Sequence, residues 1–422
     1  MRKRIYRAQS VKTLDFAALT QRVRQAPRVV FGVDVAKTVM VACLKVEAES
    51  VVATLKWNHL EQTAQVLTWL ASLPVRVEVA LEPTGTYGDV LRWQSQRVGL
   101  AVFQVSPKKV HDSQELYDGV PSTHDGKAAA LVGWLHWQGR SQPWTERCDR
   151  DRALAATVQT LSLYQVPFQR CLSRLEGQLA RYWPELTERM ELKSVTLLEL
   201  LKTFGSPEAV AASARAAEEL MHRIGRSSLH PQTIPAVLES ARTTLGVPMV
   251  AAEILALQEL ATEARRLQQA IHRVETELRA LSHSEELLER LGEVVGSVTA
   301  VVMTVYGGRV TAYPNAGSWE KALGLNLKIR SSGLHRGQLR LSKRGPSLVR
   351  KYLYLASLRW IRLDPVVRAW YEAKVQRQGG RLRKKAVVAV MRKLARALWW
   401  VGQGRAFSTR QLFDTRRLGL AS

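Results

Sequence analysis

The stretch that most constrains the fold is VVFGVDVAKTVMVACLKV, from Val29 to Val46, dense in β-branched residues and broken near Ala36-Lys37. Such a run packs well on a pleated surface and crowds a helix, so it reads as a hairpin of two strands. A third strand follows around Val51–Trp57. Helical spacing over Glu61–Leu73 then gives way to a buried strand, Val75–Glu82. Gly85-Thr86 turns the chain into an amphipathic helix ending near Gly99, Ala101–Ser106 is a further strand, and helix returns from Asp125 to about Gln138. A strand meander followed by alternating strand and helix predicts a mixed α/β layer fold.

Beyond Trp144 strand signals fade, and residues 150–290 read as almost wholly helical. Leu257, Leu260, Ala264, Leu267, Ile271, Val274, Leu278 and Leu281 step by threes and fours, a coiled-coil seam that suits a second copy of the chain or a helix of the same chain. Pairing between copies, giving a homo-oligomer (a dimer or tetramer), is the expectation. Gly and Pro residues between Phe204 and Pro248 predict a loop-rich insertion. For a chain of 422 residues this divides into a basic arm (1–28), an α/β domain (29–145), a helical and coiled-coil region (146–290), a mainly helical C-terminal domain (291–405) and a tail (406–422). The arm is read as disordered or as lying along a phosphate backbone. No apolar run reaches the length of a membrane span, and no apolar signal core follows the N-terminus, which predicts a cytoplasmic protein with no membrane partner. Cys43, Cys148 and Cys171 lie far apart and predict neither disulfides nor a zinc site.

Charge narrows the function. Sixty-two Lys and Arg stand against 37 acids, a net charge of +25, which a surface carries comfortably when its normal partner is a polyanion. From Lys321 to Leu363 there is no Asp or Glu, and the same holds from Gln376 to Arg410. The expected nucleic-acid footprint therefore includes Arg330, Arg336, Arg340, Lys343 and Arg344, and the block Arg381, Arg383, Lys384 and Lys385. Trp134, Trp137, Trp144, Trp399 and Trp400 sit at helical spacing, which favours core packing over base stacking.

Three carboxylates stand where elements of the first domain end. Asp34 lies in Phe-Gly-Val-Asp-Val-Ala-Lys, Glu82 in Leu-Glu-Pro-Thr-Gly and Asp125 in Ser-Thr-His-Asp-Gly-Lys. A carboxylate inside an apolar strand is costly unless paired or bound to a cation. Acids converging from several elements make an oxygen-rich site for Mg²⁺, and paired ions can activate a nucleophile and stabilise a leaving oxygen on phosphate. Each acid also has a plain reading: Asp125 as a helix N-cap, Glu82 as a surface acid before a turn, Asp34 as a partner for Lys37.

Order and spacing resemble the DEDD transposases of insertion sequences, the bridge-RNA-guided DNA recombinases. The resemblance rests on Gly32-Val-Asp-Val-Ala-Lys37, Glu82-Pro-Thr-Gly85, Pro107-Lys-Lys-Val110 and Asp125-Gly-Lys-Ala-Ala129. In the C-terminal third it rests on Leu291–Ala300, Ala322-Leu-Gly-Leu325, Ser331-Ser-Gly333 and Leu341-Ser-Lys-Arg-Gly345, followed by Leu348-Val-Arg350. It implies an RNase H-like, resolvase-like first domain with Asp34, Glu82 and Asp125 as catalytic and Mg²⁺-binding acids, and Ser332 as the nucleophile. It also implies a guide RNA and donor and target double-stranded DNA as partners. Two positions depart from the pattern. Ala128 stands where the family has a fourth acid, with Asp118 or His124 as substitutes, and Val294 replaces a usual glycine. The competing readings are a metal-dependent junction nuclease that leaves Ser332 idle and a non-catalytic nucleic-acid scaffold.

Overall fold

The computed structural model describes residues 6–83, 85–329, 337 and 339–413. The chain divides into two compact units, 1–147 and 148–422.

The first unit is built on a seven-stranded mixed sheet of order β1-β4-β3-β2-β5-β6-β7. Its elements are β1 (Gln9–Ser10), α1 (Phe16–Val23), β2 (Val29–Asp34), β3 (Val39–Lys45), β4 (Val51–Asn58), α2 (Thr63–Ser72), β5 (Val77–Leu81), α3 (Asp89–Arg97), β6 (Ala101–Val105), α4 (Pro107–Asp112), α5 (Gln114–Asp118), α6 (Asp125–Trp137) and β7 (Ser141–Pro143). The expected hairpin is β2–β3, antiparallel, extended by antiparallel β4; β5 and β6 run parallel to β2. Strand β2 is buried on both faces. Phe31 and Val33 pack with Leu19, Val23, Leu67, Leu70 and Leu91 of α1–α3. On the opposite face α6 lies against the sheet so closely that a Cβ on Gly32 would stand 2.4 Å from the Ala129 carbonyl oxygen. The sheet is thus the middle layer of three.

The basic arm departs from expectation. Residues 9–23 are ordered on the sheet, with β1 parallel to β4 and Val11, Leu19 and Val23 buried in its core. A few apolar residues at helical spacing sufficed, and the surrounding basic residues hid them from a composition-based reading.

The second unit is mainly helical, and helix accounts for 63% of the structure. It comprises α7 (Asp149–Tyr182), α8 (Leu186–Arg189), α9 (Val195–Phe204), α10 (Pro207–Ala212), α11 (Ala214–Gly225), α12 (Thr233–Thr243), α13 (Ala251–His283), α14 (Glu286–Val295), α15 (Ser297–Gly307), α16 (Ala316–Ala322), the two-stranded β8 (Leu327–Lys328) and β9 (Arg340–Leu341), α17 (Ser347–Leu363), α18 (Pro365–Gln376), α19 (Arg383–Gly402) and α20 (Thr409–Leu412). The heptad seam belongs to α13 and closes within the chain. Leu257, Ala264 and Leu267 are buried with Leu175 and Leu179 of α7, while Val274 and Leu278 are buried with Leu154 and Leu161. Tyr182 donates to Glu253 (2.6 Å) and Arg150 donates to Ser284 (3.0 Å) at opposite ends, so the two helices run antiparallel. The seam expected to join copies is occupied by the chain's own helix.

The expected loop-rich insertion is largely helical. Gly205 ends α9 in the left-handed region, Pro207 opens α10, and Pro235 lies in the first turn of α12. These residues start and stop helices instead of marking loops. Among the described residues no single helix is long and apolar enough to cross a membrane. The apolar pair α14 and α15, bent by 119°, forms the centre of the C-terminal core, where Val301, Val302 and Met303 are fully buried.

Candidate active site and nucleic-acid interface

Strand register brings two of the acids together. Val33 of β2 pairs with Leu81 of the parallel β5, so Asp34 and Glu82 each lie one residue beyond a matched pair, at the same edge of adjacent strands. Neighbouring strands lie about 4.8 Å apart, which places the two carboxylates within electrostatic reach. Asp125 arrives by the third route: the tight Gly32–α6 contact docks the helix across β2, and Asp125 is its first residue.

The electrostatics follow from that convergence. Burial, and then the Asp125 charge, push the Asp34 carboxyl up to about 6, against the lowering effect of the Val35 N–H. Glu82 is raised by burial and then by Asp34. Asp34 is therefore coupled to both other acids, and like charges held together disfavour ionisation. The set is all oxygen, the donor chemistry Mg²⁺ prefers, and a divalent cation would relieve the repulsion. In the conformations present, the described residues form no group of three or more His, Cys, Asp or Glu that could hold a metal; Asp34 instead stands between two partners.

The plain readings of these residues fare differently. Asp125 is not the cap of α6. That role belongs to His124, whose Nδ1 accepts from the Lys127 N–H at 3.2 Å. Asp118 is also engaged: the buried Lys127 ammonium donates to it at 2.6 Å and to the Ser122 carbonyl at 3.1 Å. Partial burial opposes ionisation of Asp118, yet the Lys127 contact holds its carboxyl below the usual range. The two residues proposed to substitute for the acid missing at Ala128 thus hold the segment that leads into α6.

Two positioning residues escaped the sequence reading. Lys127, only 1% exposed, ties 118–122 to α6. Arg92, 3% exposed, donates to the Glu82 carbonyl oxygen at 3.4 Å and pairs with Asp89, fixing the backbone from which Glu82 projects. Lys127 stands as a lone cation among the apolar residues of α6, which was the available signal; Arg92 lies in the polar α3 and gave none.

In the second unit the quoted motifs pack on one another. A Cβ on Gly345 would stand 2.5 Å from the Ala322 carbonyl oxygen and 2.6 Å from the Gly324 nitrogen. The Lys343 N–H donates to the Gly324 carbonyl at 3.2 Å, and the Ser342 N–H donates to that of Asn326 at 2.8 Å. Arg350 donates to the Gly345 carbonyl at 2.6 Å, so it clamps this junction. Strands β8 and β9 pair next to it, and Ser331-Ser332-Gly333 lies between them in sequence. Ser332, Arg330 and Arg336 lie outside the described residues. Val294, in place of the usual glycine, is buried, and its carbonyl accepts from the Trp360 Nε1–H at 2.8 Å.

Arg340, Lys343, Arg344, Arg381, Arg383, Lys384 and Lys385 are all exposed. The last three occupy the first turn of α19, which contains no acid and no side-chain cap. Cations at the positive end of a helix repel its dipole, and an anion there is favoured by both. Of the two acids that flank the acid-free run 321–363, Glu320 is buried against Arg392 and Arg396 of α19, and Asp364 caps α18. Neither offsets the exposed charge.

Residues 288–372 match the family described as Transposase IS116/IS110/IS902 family. The match supports an IS110-type transposase. It spans α14 through most of α18, including the packed motifs and the serine segment between β8 and β9. No curated protein matches the chain. A family of this kind suggests a transposase or recombinase of an insertion sequence, an enzyme of DNA strand transfer.

Proposed function

We propose that this IS110-type transposase exchanges strands between donor and target DNA through a covalent phosphoserine at Ser332, under guidance of an RNA, in the cytoplasm. The observation that carries the reading is the coincidence, within 288–372, of the transposase match, the acid-free basic run and Ser331-Ser332-Gly333. In the reaction, the Ser332 hydroxyl loses its proton and its oxygen attacks a phosphodiester phosphorus. A serine–phosphate bond forms as one phosphorus–oxygen ester bond breaks, and the departing oxygen is protonated. Attack by the hydroxyl end of another strand reverses these steps and frees the serine. One ester is exchanged for another, so no nucleotide hydrolysis is needed, in keeping with the lack of a Gly-x-x-x-x-Gly-Lys-Ser/Thr sequence.

The first unit is read as RNase H-like on its antiparallel meander, its parallel extension and the acids at the sheet edge. Asp34, Glu82 and Asp125 would hold Mg²⁺, with water completing the shell, and the bound ion would supply charge stabilisation at phosphate. Arg92 and Lys127 keep the elements carrying two of these acids in place. Arg340, Lys343, Arg344 and the first turn of α19 bind phosphates. Two duplexes require more than one subunit, and because the α13 seam is filled by α7, copies associate through other surfaces.

The test is incubation of wild type and Ser332→Ala with Mg²⁺, guide RNA and paired donor and target DNA, resolved on denaturing gels with and without protease. A protease-sensitive protein–DNA adduct that depends on the RNA and is lost in the variant is expected. Equal cleavage by both proteins without an adduct would favour the water-activating nuclease.

A further inference from the structure

Behind α19 lies a cavity of about 620 Å³ that the strand-exchange reading does not use. Among the described residues its wall carries five cations, Lys374, Arg392, Lys393, Arg396 and Arg405, and no acid. These cations have different duties. Lys393 donates to the Leu412 carbonyl at 3.0 Å and packs over Trp370 and Phe413, so it fastens α20. Arg392 is bound to the buried Glu320. Arg396 touches Glu320 only at 3.7 Å, and its side chain is 59% exposed. Lys374 and Arg405 also face the cavity. The Arg405 guanidinium lies 4.0 Å over the Trp400 ring, and Trp400 itself is 43% exposed. Ser408 and Gln411 add hydrogen-bonding groups to the rim.

An exposed guanidinium lying over an indole puts a cationic group beside an aromatic one, and both kinds of group accept unpaired bases by stacking. Cations on the same wall suit the phosphate attached to that base, and the volume suits one nucleotide. A simple anion would satisfy the charges and leave the aromatic group unused.

We propose that this cavity binds a single unpaired nucleotide of a nucleic-acid strand, its base stacked on the Arg405–Trp400 pair and its phosphate held by Lys374 and Arg396. The proposal rests on the nucleic-acid reading above and adds a site for an extruded or looped-out base. RNA and DNA share this chemistry, so both are tested. The full chain is irradiated with single-stranded RNA carrying 4-thiouridine, and separately with single-stranded DNA carrying 5-iododeoxyuridine, and the crosslinked peptide is mapped by mass spectrometry. Crosslinking at Trp400 or Arg405 is expected, at about one tenth of the wild-type yield in Trp400→Leu and in Arg405→Gln. Thermal melting of each variant shows whether the fold is kept, and Arg405→Gln, at an exposed residue, guards against misfolding of the tryptophan variant. The backbone that crosslinks more strongly identifies the natural strand. Crosslinks confined to other peptides while the oligonucleotide still binds would overturn the cavity site and leave the nucleic-acid reading standing. Failure to bind any nucleic acid would overturn both. Displacement by an oligoglutamate peptide as effective as that by an oligonucleotide of equal charge would show a plain anion site and overturn the stacking.

Discussion

The two units manage charge in opposite ways. In the first, Asp34, Glu82 and Asp125 are carboxylates that backbone geometry forces together: two by parallel register and one by a helix docked on a glycine. In the second, cations are spread over exposed turns and the start of α19, and the two acids that flank the basic run are buried in a salt bridge or used as a cap. In the first arrangement burial, and then like charge concentrated at a point, raise the carboxyls of Asp34 and Glu82. The second distributes charge over a surface. A concentrated site suits chemistry at one phosphate, and a distributed one suits the binding of many.

The largest effect should come from the concentrated site. Glu82→Gln keeps size and removes the charge, so strand transfer should fall on the order of a thousandfold, with circular dichroism unchanged; full activity would make Glu82 a bystander. Gly32→Ala attacks the geometry instead. Its Cβ would meet backbone on α6 that cannot rotate away, so it should cost about 2 kcal/mol in chemical denaturation and lower activity as Asp125 moves off. An unchanged midpoint would mean that α6 is not held by this contact.

On the distributed side, Lys384→Gln with Lys385→Gln should weaken duplex binding about tenfold at moderate salt and flatten the dependence of log affinity on log salt by about two. Binding that is weaker at one DNA sequence only would contradict a phosphate role. The smallest effect separates the two modes by pH. The Asp34 carboxyl, raised to about 6 from 3.8, binds a proton in the folded state before it does so in the unfolded one. Wild type therefore gains stability from this group as pH falls through about 6 toward 3.8, and loses it as pH rises again. Asp34→Asn, spared the charge, should be more stable than wild type at pH 7 by about 1 kcal/mol, after discounting for solvent screening. The difference should vanish near pH 4. A variant less stable than wild type at pH 7 would show that Asp34 is ion-paired and not repelled.

How legible each part was in the sequence follows the same division. Strands β2 and β3 were readable because a strand buried on both faces is apolar along most of its length, and Asp34 stood out as an exception to that rule. The basic footprint was readable as composition. The arm was not, because the basic residues around Val11, Leu19 and Val23 mask the few apolar side chains that dock residues 9–23. The destination of the α13 seam was not readable either, since a heptad states that a partner exists and leaves its identity open. Lys127 and Arg92 were missed because a buried cation looks like a surface one until its partners are known. Gly345 and Gly324, noted as parts of motifs, proved to be the points where those motifs touch.

The central claim is that the carboxylate edge and the serine segment serve one reaction. The most direct test is the yield of protease-sensitive protein–DNA adduct in Asp34→Asn beside Ser332→Ala, with guide RNA, Mg²⁺ and both DNA partners present and binding verified for each variant. Loss of the adduct in both is the predicted result. An adduct at wild-type yield in Asp34→Asn, with Ser332 intact, would contradict the claim and leave the acids outside the chemistry of strand exchange.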